Sequence, residues 1–143
     1  MLAKPSLVLR IGIGKSIGLV VGLIAFFLAP VFGESDLLFR IGVVLWITTM
    51  GVYIGLFGVM TEYPIIHLPL PWWFRGPLIG SFMMLVLWLV AHERMDALII
   101  NVMGEGSPIN SGVWTVIDGG FLGLLMAWLT TKFGGEGRAT VGH

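Results

Sequence analysis

Asp118 is the residue of this sequence with the clearest potential for chemistry, because it is the one acid that falls well inside a long apolar segment. A carboxylate in a bilayer is costly unless it is paired, protonated or in a wet cavity. Thr115 and Ser111 precede it by three and seven residues and therefore share its helix face. Arg40 and Arg94 are the predicted counter-ions. These five residues predict either a structural ion pair or a proton or cation site.

His92 and Asp96 form a second, weaker candidate. They stand four residues apart in the polar run His-Glu-Arg-Met-Asp, a spacing that puts two metal ligands on one helix face. No third ligand follows nearby, so the sequence predicts no metal centre and favours a helix end emerging at the membrane surface. Ser107 and Ser111 likewise have no histidine or acid at a spacing typical of nucleophilic catalysis.

The composition requires a membrane environment. The 143 residues are 57% hydrophobic and 11% charged, and eight basic residues balance eight acidic ones. Soluble domains carry about 25% charged residues, and a soluble chain this apolar would aggregate. An ordinary cytosolic enzyme, a disordered chain and a basic nucleic-acid binder are therefore excluded. The absence of cysteine removes thiolate chemistry. Residues 1–143 are expected to form a single membrane domain.

The apolar segments predict an all-α integral membrane protein, a bundle of four transmembrane helices. About 20 apolar residues cross a bilayer as a helix, and continuous apolar runs exclude the alternating strands of a barrel. A shorter apolar run after the third span predicts an interfacial helix at about 93–103. The spans are predicted at about 11–32, 37–60, 72–91 and 112–133.

The distribution of basic residues predicts that both termini are cytoplasmic. With four spans, the termini and the second connection share one side, and that side carries the greater number of Lys and Arg residues, as expected for the cytoplasmic face. We therefore expect a bacterial-type inner or plasma membrane. The cytoplasmic set is Lys4, Arg10, Lys15, Arg75, Lys132 and Arg138, against Arg40 and Arg94 outside.

The first apolar segment has an alternative interpretation as a cleaved signal peptide. Basic residues precede it, and the small residue Gly33 follows Val31 and Phe32. The run is longer than a usual signal core and carries a glycine ladder, which favours a retained span.

Glycines recur every four residues on several spans, so that they fall on one face of each helix. Small residues at this spacing let two membrane helices approach closely. The ladders predict either internal packing of the bundle or faces for self-association. They are Gly14, Gly18 and Gly22 on the first span, Gly51 and Gly55 on the second, Gly76 and Gly80 on the third, and Gly119 and Gly123 on the fourth.

The two halves of the chain share these patterns. A Gly-x3-Gly span is followed by a Trp-x4-Gly-x3-Gly span, first at Trp46 and again at Trp114. The match is explained either by chance in a glycine-rich chain or by duplication of a helical hairpin. Duplicated two-span units would be parallel repeats related by an axis along the membrane normal.

An aromatic cluster with an arginine begins the third span. Trp72, Trp73, Phe74 and Arg75 follow a proline-rich connection, and such residues suit the headgroup level of a membrane. We interpret them as an interfacial anchor, with a docking surface as the alternative.

The leading functional hypothesis is a small non-catalytic accessory, scaffold or assembly subunit, packed through its glycine-rich helix faces. The alternative is a small oligomeric channel or transporter with Asp118 in a polar cavity. A membrane enzyme using His92 and Asp96 is a weaker third class. The expected partners are the lipid bilayer and further copies or other membrane subunits, with no nucleic acid and no cofactor.

Overall fold

The computed structural model of the chain is all-helical over the residues it describes. Four helices are long and apolar enough to cross a membrane, as predicted, and no strand occurs in the described ranges. These helices are α1 (Leu7–Leu28), α2 (Leu37–Leu56), α3 (Trp72–Met103) and α4 (Thr115–Gly134). The described residues are 6–59, 71–104, 106, 108 and 111–135.

Helix boundaries differ from the predicted spans mainly at their ends. The helix α1 begins at Leu7, where Ser6 caps it by accepting the N–H of Leu9 at 3.1 Å. Its last predicted turn, Ala29–Phe32, is a 3₁₀ helix beginning beside Pro30. The segments Phe57–Val59 and Gly112–Trp114 are also 3₁₀ turns. Short 3₁₀ turns are common where a helix ends or begins.

A break at Ala91 divides α3 where the third span and the interfacial helix were predicted to meet. Ala91 has a non-helical backbone (φ −125°, ψ 34°). Across it, the indole N–H of Trp88 donates to the Asp96 carboxylate at 2.9 Å. Residues eight apart rise about 12 Å along a straight helix, so this bond brings the segment after the break back toward the span.

Two antiparallel hairpins, α1 with α2 and α3 with α4, are packed through glycine. A Cβ atom at Gly14 would overlap the backbone of Gly51, and one at Gly80 would overlap the backbone of Gly119. Backbone contact of this kind requires glycine, because no side chain can move aside. All nine predicted packing glycines lie against the partner helix of their own hairpin: Gly14, Gly18, Gly22, Gly51, Gly55, Gly76, Gly80, Gly119 and Gly123.

The hairpins meet mainly through α4, which contacts both α1 and α2. The small core between them is formed by the buried residues Ile47, Met50, Ile54, Met83, Met126 and Ala127. The indole N–H of Trp46 also donates to the carbonyl of Met83 at 3.0 Å, which joins α2 to α3. Large apolar side chains elsewhere face outward, as a helix surface in lipid requires.

The bundle has two distinct ends. At the terminal end, where α1 begins and α4 ends, the Ser6 N–H donates to the carbonyl of Gly134 at 2.8 Å. The opposite, distal end carries the α1–α2 connection and the part of α3 after Ala91. There the Asn101 amide donates to the carbonyl of Phe32 at 2.6 Å, so the part of α3 after Ala91 is tied to the first hairpin.

We expect Gly14→Ala to lower the free energy of unfolding by about 1–3 kcal/mol or more, because the added methyl group meets backbone that cannot yield. Gly12→Ala is the matched control, since a Cβ there meets nothing within 4 Å. Unfolding by detergent titration, followed by circular dichroism, measures both. Equal stability of the two variants would contradict the glycine contact.

Candidate functional site

Asp118 lies in the first turn of α4 and is exposed on the surface of the chain. The α-helix begins three residues before it, so the carboxylate is near the distal end and not deep in the bundle. Unpaired N–H groups and the helix dipole stabilise an acid in this position. Ile117 and Phe121 beside it are also exposed, so Asp118 lies on an outward apolar face.

The contacts shown for Arg40, Ser111 and Arg94 are with groups other than Asp118. Arg40 donates its Nε–H to the carbonyl of Phe26 at 2.9 Å, and Ser111 donates to Asp96 at 3.0 Å. Thr115 lines an apolar cavity. Within the part of the chain that is described, neither Arg40 nor Arg94 makes an ion pair with Asp118. The two predicted counter-ions are therefore engaged by other groups in the described structure.

Asp96 is the centre of a hydrogen-bond cluster that the spacing with His92 did not predict. Its carboxylate accepts from Trp88 and from Ser111, while the His92 side chain is exposed and its ring lies 6.4 Å from that of Trp88. In the described ranges, no three His, Asp or Glu side chains come together as metal ligands. The geometry gives Asp96 a structural role in joining the Ala91 break to the start of α4.

Arg94 joins α3 to the α1–α2 connection by ion pairs at the distal end. It contacts Asp36, and its Nη1 lies 3.3 Å from the Glu34 carboxylate. Asp36 also caps α2 by accepting the N–H of Leu38 at 3.0 Å. The hydrogen bond from Arg94, followed by that from Leu38 and the charge of Arg94, holds the pKa of Asp36 below its ordinary 3.8. The carboxylate therefore stays ionised throughout the neutral range.

The four residues of the predicted aromatic anchor form the first turn of α3, and they differ in burial. Trp73 and Phe74 are exposed by 60% and 46%, as residues at a headgroup level would be. Trp72 packs against the core, and Arg75 is buried with 4% exposure. Arg75 is therefore part of the protein interior and does not extend from an exposed anchor.

Arg10 is the most completely enclosed charged residue in the described structure, with no exposed surface. Its Nε–H donates to the carbonyl of Gly55 at 3.0 Å. Its terminal nitrogens donate to the hydroxyls of Thr131 and Thr130 at 3.2 and 3.3 Å, and to the carbonyl of Gly135. One guanidinium therefore joins α1 to the C-terminal ends of α2 and α4.

The geometry around Arg10 explains how a charge is accommodated inside an apolar helix bundle. Carbonyl groups at helix C-termini carry partial negative charge, and two such ends converge on this side chain. Gly58 and Gly134 provide the space, since a Cβ at either position would overlap the Arg10 side chain. The planar guanidinium suits the site because it donates in several fixed directions at once.

The sequence prediction counted Arg10 only as a cytoplasmic charge and missed its burial. A signal was present, because Arg10 precedes Gly14, Gly18 and Gly22 at the same four-residue spacing. It therefore shares the face that packs against α2. What the spacing could not show is that α4 also ends at this point and supplies the hydroxyl groups.

We expect Arg10→Gln to lower the free energy of unfolding by at least about 3 kcal/mol, because each bond from a charged donor contributes roughly 1.5–3 kcal/mol. Arg10→Lys should recover only part of the loss, since an ammonium group cannot reach acceptors on both helices. Detergent-induced unfolding provides the measurement, with Lys15→Gln as the exposed-charge control. If Arg10→Gln is as stable as the control, Arg10 does not join the helices as described.

No protein-family model matches this sequence, and comparison with curated proteins and with solved structures gives no match. The function is therefore argued from the geometry of the chain itself.

Proposed function

We propose that this protein is a small non-catalytic integral membrane subunit that assembles with further membrane helices along the open face between α2 and α3. The observation that carries the proposal is the difference in packing between the helices within each hairpin and the pair α2 and α3. Glycine brings the helices of each hairpin into backbone contact, whereas α2 and α3 leave apolar grooves between them. The predicted glycine faces are occupied within the chain, so an assembly surface must use other residues.

Two grooves lie along the α2–α3 face, one on each side of the hydrogen bond from Trp46 to Met83. The distal groove has a volume of about 240 Å³ and is lined by Phe39, Gly42, Trp46 and Val90, among others. The groove toward the terminal end has a volume of about 600 Å³ and is lined by Tyr53, Phe57, Leu78, Ile79, Phe82 and Met83.

Gly42 supports the assignment of this face to assembly. It lines the distal groove, yet a Cβ there would meet nothing within 4 Å, so packing inside the chain does not require a glycine. In lipid, helices associate through close van der Waals contact, which small residues and complementary grooves permit. A helix from a second copy or another subunit, laid along the face, would pack against Gly42 and fill both grooves.

The proposed membrane arrangement has both termini in the cytoplasm of a bacterial-type inner or plasma membrane. It is supported by the contact between the beginning of α1 and the end of α4, which lie at one end of the bundle. The larger number of basic residues predicted for that side then favours the cytoplasmic face.

Duplication of a hairpin remains part of the proposal, with a change of register. Both hairpins use the same type of glycine contact, but Gly14 meets Gly51 whereas Gly80, and not Gly76, meets Gly119. If Gly51 corresponds to Gly119, the contacts align Gly14 with Gly80. A duplicated hairpin would then have shifted by one helical turn relative to the sequence pattern, in which Gly14 corresponds to Gly76 and Gly18 to Gly80.

A photo-reactive residue at Phe82 tests the assembly face. We expect it to cross-link to protein in the native membrane, whereas the same probe at Val20, an exposed position on α1, should capture lipid only. Gly42→Leu should reduce the protein adduct roughly five- to a hundredfold, since overpacking a helix contact costs about 1–3 kcal/mol.

Gly12→Leu is the control for that loss, because Gly12 is equally open but lies on α1. Lipid adducts alone at both probe positions would contradict the assembly function. So would protein adducts that Gly42→Leu and Gly12→Leu reduce equally.

A small oligomeric channel or transporter is the second candidate function, favoured by the exposed carboxylate of Asp118 on the outward face of α4. In an oligomer, copies facing one another through α4 would surround these acids with a polar cavity. The face in question differs from the α2–α3 face, so the two candidates predict different contacts.

For the channel candidate, vesicles containing the protein should conduct protons or cations, and Asp118→Asn should return the flux to that of protein-free vesicles. Glu93→Gln, a change at another exposed acid of the distal end, should leave the flux unchanged. Wild-type vesicles without flux would eliminate this candidate.

A further inference from the structure

A cavity of about 200 Å³ lies between the two hairpins in the distal half of the bundle. All four helices contribute to its wall, including Phe26 of α1, Val43 of α2, Leu87 of α3 and Thr115 of α4. Its volume is below the roughly 300–1,000 Å³ of pockets for drug-sized molecules. It therefore suits one narrow apolar chain better than a compact ligand.

The lining of the cavity includes one face of α2, beginning at Arg40. Arg40, Val43 and Ile47 line it at spacings of three and four residues, which places them on one helix face. Arg40 and Ile47 are about 10 Å apart along the helix axis. The cavity is thus apolar along two turns of α2 and has a single cation at its distal limit.

The guanidinium of Arg40 is held in place at that limit. Its Nε–H donates to the carbonyl of Phe26, and its Cζ atom lies 4.0 Å from the centre of the Phe26 ring. Within the described part of the chain, its terminal nitrogens make no hydrogen bond. A fixed guanidinium with free donors is well suited to a phosphate oxygen.

The segment of α3 after the Ala91 break forms the remaining wall. Met95, Leu98 and Ile99 turn their apolar side chains to the cavity. This segment is tied down by Arg94 to Asp36 and by Asn101 to Phe32. The break in α3 therefore shapes a chamber that a straight helix would not enclose.

We propose that this cavity binds one acyl chain of an anionic phospholipid from the surrounding bilayer, with the phosphate of the headgroup on Arg40. Charge complementarity selects an anionic headgroup, because the one charged side chain of the described lining is a cation. The apolar lining, which continues along α2 from Arg40 to Ile47, favours an acyl chain. Phospholipid acyl chains would surround a membrane-spanning bundle at the depth of this cavity. The cavity shares Phe39, Val43 and Leu87 with the distal groove of the α2–α3 face, whereas Arg40 lines the cavity and not the groove.

Native mass spectrometry of the full chain, with phosphatidylglycerol or phosphatidylcholine added in equal amounts, tests the proposal. We expect one phosphatidylglycerol to be retained after detergent removal, with Arg40→Gln reducing its retention roughly tenfold or more as the charge-assisted contact is lost. Arg40→Lys should keep most of the preference. Ala25→Leu, which narrows the cavity, should reduce retention of both lipids.

Lys132→Gln, at the terminal end of α4, is the control for general charge and should retain the lipid as wild type does. Thermal unfolding of each variant separates loss of the site from loss of the fold. Equal retention of the two lipids, or a phosphatidylglycerol preference that survives both Arg40→Gln and Ala25→Leu, would overturn the proposal. Displacement of the lipid by an equimolar free fatty acid would overturn the phospholipid assignment.

Discussion

The enclosure of Arg10 is the constraint on which the arrangement of the two hairpins depends. Its guanidinium must keep all its hydrogen bonds, because a buried charge without partners is strongly destabilising. The bonds to Gly55, Thr130, Thr131 and Gly135 can be made together only when α2 and α4 end beside the beginning of α1. Non-directional apolar contacts would allow the hairpins to slide, whereas these directional bonds permit one register.

The glycine contacts determine how closely the two helices of each hairpin pack. They bring α1 against α2 and α3 against α4 closely enough for backbone to touch backbone, whereas Gly12 and Gly42 take no part in these contacts. The helices α2 and α3 differ from these pairs, because larger side chains lie between them and leave grooves beside the hydrogen bond from Trp46 to Met83. Surface available for a partner or a lipid chain is therefore concentrated between the hairpins.

The break in α3 connects the fold to the distal cavity. A straight helix would carry Met95 and Leu98 away from the bundle, but the turn at Ala91 folds them over Arg40 and Val43. Polar residues of this region hold the turn in place: Asp96, a weak metal-ligand candidate by spacing, accepts from Trp88 and Ser111, and Arg94 pairs with Asp36. Their role in the described structure is to position an apolar chamber.

Local sequence was sufficient to predict four long apolar helices, because span length is a property of a single helix. The place of Asp118 in the first turn of α4 could not be read from spacing, since the residues just before it, Gly112–Trp114, form a 3₁₀ turn. Only the tertiary structure decided that Arg10 is buried, that Ser111 joins Asp96 and that Arg40 limits a cavity. Each of these depends on which helix ends meet, a relation between segments far apart in the chain that no local spacing encodes.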